Sequence, residues 1–342
     1  MITSELFGTA PCGTSVHRYT LNGPEICVRI MDYGATVLGI DVPDIPGNVR
    51  DVVLGFDKLE DYFDNPACFG ATIGPVANRT AGATITIDGT DWHMPANEGA
   101  NNLHSDLEHG LHKRVWDVEL DEVHNAVRMT TSLEDGELGL PGNRTFTAVF
   151  TVTRTGVFRI EYGCESDRAT YVSMTNHTYF NLAGHNAGMD CEHFFVANAA
   201  HYLPINEQNI PTGEIAPVKD TPMDFTTPKA VGKDINNYDF VQSSRPVAMI
   251  TACASMAIST AAACAVRCTS RRCGPAASWT TTPLPRACSS TPATGWATST
   301  PRTMPTMVGA PVLPSRPRCT PTRRTSRCSR RALWARVTPT AM

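Results

Sequence analysis

The first 239 residues predict an all-β fold of packed antiparallel sheets. Three features carry that reading. Apolar residues recur with the period of two that sends alternate side chains to opposite faces of a strand. Gly, Pro and Asn interrupt the pattern every few residues, which leaves room only for short strands and tight turns. No stretch shows the apolar period of a long amphipathic helix.

The elements follow in order. Ile26–Ile30 and Val37–Ile40 read as short strands, and Leu59–Phe63 as a single helical turn. Thr84–Ile87 and Thr90–Met94 flank Asp88-Gly89, a pair that tolerates the positive φ of a primed turn and so predicts a hairpin. From Thr145 to Thr153, Phe146, Ala148 and Phe150 alternate with Thr145, Thr147, Thr151 and Thr153. Gly156 then turns the chain into Val157–Tyr162, a second hairpin. About 240 residues of this kind are ample to bury a core.

The pattern stops near residue 240. Residues 1–239 hold all 33 acidic residues against 15 Lys and Arg, a formal charge of −18. Residues 240–342 hold no acid and no Lys, but 14 Arg, 12 Pro and 7 of the 12 Cys, a formal charge of +14. Ala257–Val266 is a run of small residues, and Thr, Pro, Ser and Arg dominate from Thr280 onward. Such a composition cannot bury a core and reads as disordered. Seven cysteines with Trp279, Trp296 and Trp334 are unusual for a native disordered tail. The expected organisation is a domain over 1–239 and an aberrant tail over 240–342.

Composition also excludes classes. An acidic front domain disfavours nucleic acid as a partner. No apolar run approaches the roughly 20 residues of a membrane span, so no membrane partner is expected. The opening Met1–Phe7 has no basic stretch followed by an apolar one, so no signal peptide is expected and the location reads as cytoplasmic. The front cysteines Cys12, Cys27, Cys68, Cys164 and Cys191 are scattered and odd in number, as suits reduced thiols. No CxxC pair occurs, so a thiolate metal site is not expected. Asn78, Asn143 and Asn176 begin N-x-[ST] triplets, which mean glycosylation only in a secreted chain.

Three polar clusters stand out. Asn78-Arg79 follows Phe69–Gly74, Asn101–Ser105 forms a polar loop around His104, and Ser173–Gly184 interleaves polar and aromatic residues around His177. Two imidazoles, several amides and a guanidinium suit a neutral, hydroxyl-rich ligand. Imidazole also suits proton transfer near neutral pH, since its ordinary pKa is about 6.5. His93, His109, His112, His124, His185 and His201 read as surface or loop residues.

Taken together these words resemble the aldose 1-epimerase (galactose mutarotase) family. The likeness runs from Val52–Asp57 through Ala77-Asn78-Arg79, the Asn-Leu-His loop and Thr175–Gly184 to Ile210–Ile215, with Asp224-Phe225 after it. It spans roughly residues 1–235, and the order and spacing of the motifs make it specific. The resemblance implies a large antiparallel β-sandwich, the supersandwich of galactose mutarotases. It implies a cofactor-free isomerase that interconverts the α and β anomers of free hexoses such as glucose and galactose. Carried over, His177 is the general acid at the ring oxygen, His104 assists there, and Asn78 and Arg79 hold sugar hydroxyls.

The chain departs from the family in two places. Gly74 is followed by Pro75 where the family often has Arg. More seriously, the family places a glutamate base in Glu-Thr-Gln near its C-terminus and an aspartate in Gly-Tyr-Asp-His, yet no Glu follows Glu214 and no Asp follows Asp239. Back-translation suggests the cause. Val247–Thr251 can be encoded by GTGGCTATGATCACT, which read two bases later contains Gly-Tyr-Asp-His. The same offset over Met307–Pro321 permits Leu-Glu-Thr-Gln, with the Glu codon straddling Ser315 and Arg316. Two family motifs in one frame and in order imply a reading-frame error between about residues 240 and 248. This chain is therefore expected to be impaired. The alternative reading is a non-catalytic sugar-binding protein, and a basic-tailed nucleic-acid binder is weaker still.

Overall fold

The computed structural model describes residues 1–45, 48–188, 192–235, 237, 240, 264–267, 277–281 and 333–337. Strands β1 (Ile2–Thr9), β2 (Ser15–Asn22), β3 (Cys27–Met31), β4 (Thr36–Ile45) and β5 (Asn48–Asp51) form an antiparallel sheet paired in sequence order. Val28 and Ile30 of β3 are wholly buried on one face, and Arg29 between them points to the other. The predicted helical turn is α1 (Asp61–Asp64), whose Tyr62 packs with Leu59, Met31 and Leu38.

Two-residue strands β6 (Thr72–Ile73) and β7 (Arg79–Thr80) come next. The first predicted hairpin is β8 (Thr84–Ile87) with β9 (Thr90–His93), in register from Thr84↔His93 to Ile87↔Thr90. Asp88 (φ 49) and Gly89 (φ 77) are both left-handed, as a primed turn requires. After β10 (Asn102–Leu103) the chain forms a second antiparallel sheet, β11 (Asp117–Asp121), β12 (Ala126–Leu133), β13 (Arg144–Val152) and β14 (Phe158–Ser166). The alternation read in the sequence is real: Phe146, Ala148 and Phe150 are fully buried, and the threonines between them lie on the other face.

Strands β15 (Thr175–Asn176), β16 (Phe194–Ala197), β17 (His201–Tyr202), β18 (Ala216–Pro217) and β19 (Lys229–Ala230) follow. In the tail, β20 (Cys264–Arg267), β21 (Ala277–Thr281) and β22 (Leu333–Val337) continue a sheet in the order β19-β16-β20-β21-β22, with β21 and β22 parallel. The expectation of a structureless tail falls otherwise outside the described residues. Among the described residues no helix is long and apolar enough to cross a membrane.

One core joins the sheets. Leu21, Val28, Ile30 and Ile40 of the first sheet pack in the same cluster as Val127, Met129, Phe146, Phe150 and Phe158 of the second. Phe195, Tyr202, Met223 and Phe225 close it. This is the packing of antiparallel sheets that the sequence predicted. Phe150 is fully buried with its ring stacked on Phe158 at 6.4 Å. Phe150→Ala should therefore cost about 3–5 kcal/mol, read as a lowered urea midpoint, and an unchanged midpoint would contradict this core.

Candidate active site

The site is built around residues 71–80. On one side β6 pairs with β15, Ile73 opposite Thr175 and Thr72 opposite Asn176. The pairing continues on both flanks: the His177 N–H donates to the Ala71 carbonyl at 2.8 Å, and the Ala77 N–H to the Ser173 carbonyl at 2.7 Å. On the other side β7 pairs with β10, Arg79 opposite Leu103. His177 follows β15, Asn78 precedes β7 and His104 follows β10, so two short ladders deliver the three side chains to one place. The His104 and His177 rings lie edge to face, centroids 5.3 Å apart.

His104 is fixed in position and in tautomer. The Asn78 backbone N–H donates to His104 Nδ1 at 3.0 Å, and the His104 N–H returns a bond to the Asn78 carbonyl at 3.0 Å. Because Nδ1 accepts, the neutral ring carries its proton on Nε2 and offers a donor there. Burial, with the His177, His112 and Arg79 charges nearby, holds its pKa well below the usual imidazole value, so the neutral form dominates at pH 7. Asn78 (φ 65), His104 (φ 60) and Ser105 (φ 66) all hold left-handed backbone, uncommon for residues with a Cβ and concentrated at functional sites.

His177 sits between His104 and Tyr179, whose ring centroid is 5.1 Å away. Its Nδ1 is buried and has no hydrogen-bond partner among the described residues. Burial pushes its pKa down to about 4, and no carboxylate is among the groups that shift it. A buried imidazole without a negative neighbour prefers to stay neutral. His112, expected at the surface, is instead buried, and burial pushes its pKa down to about 4. The reason is packing: it lies in the turn Leu111–Lys113, whose Leu111 N–H bonds the Gly74 carbonyl beside the site.

Arg79 is engaged from within the chain. Its Nε and Nη2 form a two-pronged ion pair with Glu98 at 2.5 and 2.7 Å, and its side chain is only 10% exposed. No motif in the sequence marked Glu98. Nor did any show that the loop amides are spent on the backbone. Asn102 donates to the Pro95 carbonyl and accepts from the Ser105 N–H, while Ser105 Oγ bonds both the N–H and the carbonyl of Val76. Asn176 binds the Gly70 carbonyl and the Thr178 N–H. These residues hold the site rather than line it. The Gly74-Pro75 bond, where the sequence departs from the family, is cis.

The family model for aldose 1-epimerase matches residues 17–263. The chain belongs to the aldose 1-epimerase family. Galactose mutarotase of Bos taurus is 36% identical over 238 residues, 69% of this chain and 68% of that protein. Aldose 1-epimerase of Escherichia coli K12 is 35% identical over 226 residues, 66% of this chain and 64% of that protein. Among solved structures, galactose 1-epimerase from Lactobacillus acidophilus superposes with a TM-score of 0.65 at 22% identity, over 78% of this chain and 79% of that one, and shows the shared fold. An aldose epimerase homologue from C. elegans gives 0.59 at 30% identity, over 63% and 66%. The likeness thus spans about two thirds of this chain and of these curated relatives.

The depressed imidazoles carry a sign for pH. The unfolded chain takes up protons on His112 and His177 near pH 6.5, whereas the folded chain does so only near 4. Between those values the unfolded state binds more protons, so this contribution makes stability fall as pH falls. The ring resonances of both residues should stay at their neutral positions down to about pH 5. Replacing His112 by Leu should flatten the fall in denaturation midpoint between pH 6.5 and 4. A His177 titration midpoint near 6.5 would contradict the dry site.

Proposed function

We propose that this isomerase interconverts the α and β anomers of free hexoses such as glucose and galactose. The observation that carries the reading is the pair of imidazoles, His104 and His177, held edge to face beside Asn78 and Arg79. Anomer interconversion needs a base to take the C1 hydroxyl proton and an acid to protonate the ring oxygen. The ring then opens, the aldehyde rotates, and the ring closes on its other face. His177 is assigned as the acid at the ring oxygen. His104 offers its Nε2 proton to the same region as a hydrogen bond. Asn78 and Arg79 hold hydroxyls, with Glu98 fixing the guanidinium. No cofactor enters the scheme. The unpaired thiols of Cys12, Cys27, Cys68 and Cys164 fit a cytoplasmic setting.

The base is the missing part. Residues 240–342 contain no Asp or Glu, and the curated relatives align over 69% of the chain. The loss of every acid after Asp239 supports a reading-frame change, while the family-model match runs on to residue 263. An imidazole whose pKa is pushed by burial to about 4 is a poor acid at pH 7, and a nearby carboxylate would raise that value. The same observation favours a second reading for the chain as it stands, a sugar-binding protein with little turnover.

Polarimetry on pure α-D-glucose or α-D-galactose tests the assignment, using a frame-restored version with and without His177→Ala. Loss of a positioned general acid should cost roughly 10²–10⁴-fold in rate. An unimpaired His177→Ala enzyme would remove the assignment.

A further inference from the structure

A second cleft of about 360 Å³ opens on the outer face of the first sheet, within the size class of small-molecule sites. It is separate from the imidazole pair. Phe56, in its wall, is three ring contacts from His177, by way of Phe69 and Tyr179 at 5.3, 5.0 and 5.1 Å.

The floor is an ion network. Arg29 binds Asp41 and also Asp51, the latter at 2.8 Å. Asp51 is held in turn by the N–H groups of Ile40 and Val53 at 3.0 and 3.1 Å. A Cβ on Gly39 would overlap the Arg29 guanidinium, so glycine there is what lets the arginine lie across the sheet. Partly buried ion networks add little stability, because desolvation offsets the attraction. The network leaves the Arg29 side chain 29% exposed on the cleft floor.

The walls set the ligand class. Arg18 pairs with Glu5 at 2.6 Å and lies over the Phe7 ring at 5.1 Å. His185 Nδ1 faces the Val53 carbonyl at 3.0 Å, which can only accept, so the neutral ring turns a bare Nε2 acceptor outward. Asp57 is exposed and makes no hydrogen bond or ion pair among the described residues. An anion would meet three lining carboxylates (Glu5, Asp51, Asp57) and guanidinium groups already matched. A cation would meet Arg18 and Arg29. A neutral ring carrying hydroxyls uses both kinds of group: its hydroxyls donate to Asp57 and His185 and accept from arginine, while its C–H face rests on Phe56.

We propose that this cleft is a second, non-catalytic site for a neutral pyranose sugar. The probe is methyl β-D-galactopyranoside, a locked anomer that cannot mutarotate, titrated into the full chain by calorimetry and by saturation-transfer NMR. Asn78→Ala and His177→Ala each disable the imidazole site and should leave one sugar site intact. In either background, the double change Asp57→Ala with His185→Ala should weaken the remaining site about ten- to a hundredfold, as expected for lost hydrogen bonds to a charged group. Both residues are exposed, so the folded state should survive the change. Loss of all binding in both single variants would overturn the proposal, as would unchanged affinity in the double variant. Tighter binding of inorganic phosphate than of the sugar would overturn the neutral ligand. Failure of the mutarotation reading would leave these outcomes untouched, since none of them uses turnover.

Discussion

The site depends on one stretch of backbone, residues 71–80, being hydrogen-bonded on both edges at once. One edge holds β15 and places His177; the other holds β10 and places His104. Each ladder is only two residue pairs long, too short to be stable alone. What fixes them is the surrounding core, with Ile73 fully buried and Leu111 packed where a Gly74 Cβ would sit. A ring separation of 5.3 Å is thus set by partners about a hundred residues apart in sequence, Ile73 with Thr175.

This dependence places the geometry of the candidate site within the front domain. His104, Asn78 and Arg79 are held entirely by described residues of the front domain. Proton transfer has no such independence. Burial drives His104, His112 and His177 toward the neutral form, and a dry cluster of imidazoles needs a carboxylate to become acidic near pH 7. On the proposed reading, what the tail lacks is negative charge: residues 240–342 hold no Asp or Glu.

The sequence showed those parts of the fold where a strand has one dry face. β13 alternates Phe, Ala and Phe with Thr because one side meets the core, and the β8–β9 turn is written in Asp88-Gly89. β1 and β11 escaped because they bury one residue between them, so no alternation marks them. β6, β7, β10 and β15 have no local signal at two residues each and exist only through their partners. At the candidate site, the motif words pointed to His104, His177, Asn78 and Arg79, which the fold brings near one another. They could not show that Asn102, Ser105 and Asn176 spend their polar groups on backbone, that Glu98 claims Arg79, or that His112 is buried. A sequence shows which polar groups exist; only the fold decides which remain free for a ligand.

The central claim is that the front domain holds the acid side of a mutarotase and the tail has lost the base. The most direct test is a side-by-side mutarotation assay of this chain and a frame-restored version at equal concentration. The account predicts turnover in the restored protein and near-background rates in the chain as it stands. Equal specific activity in the two would contradict both the frame change and the need for the lost carboxylate.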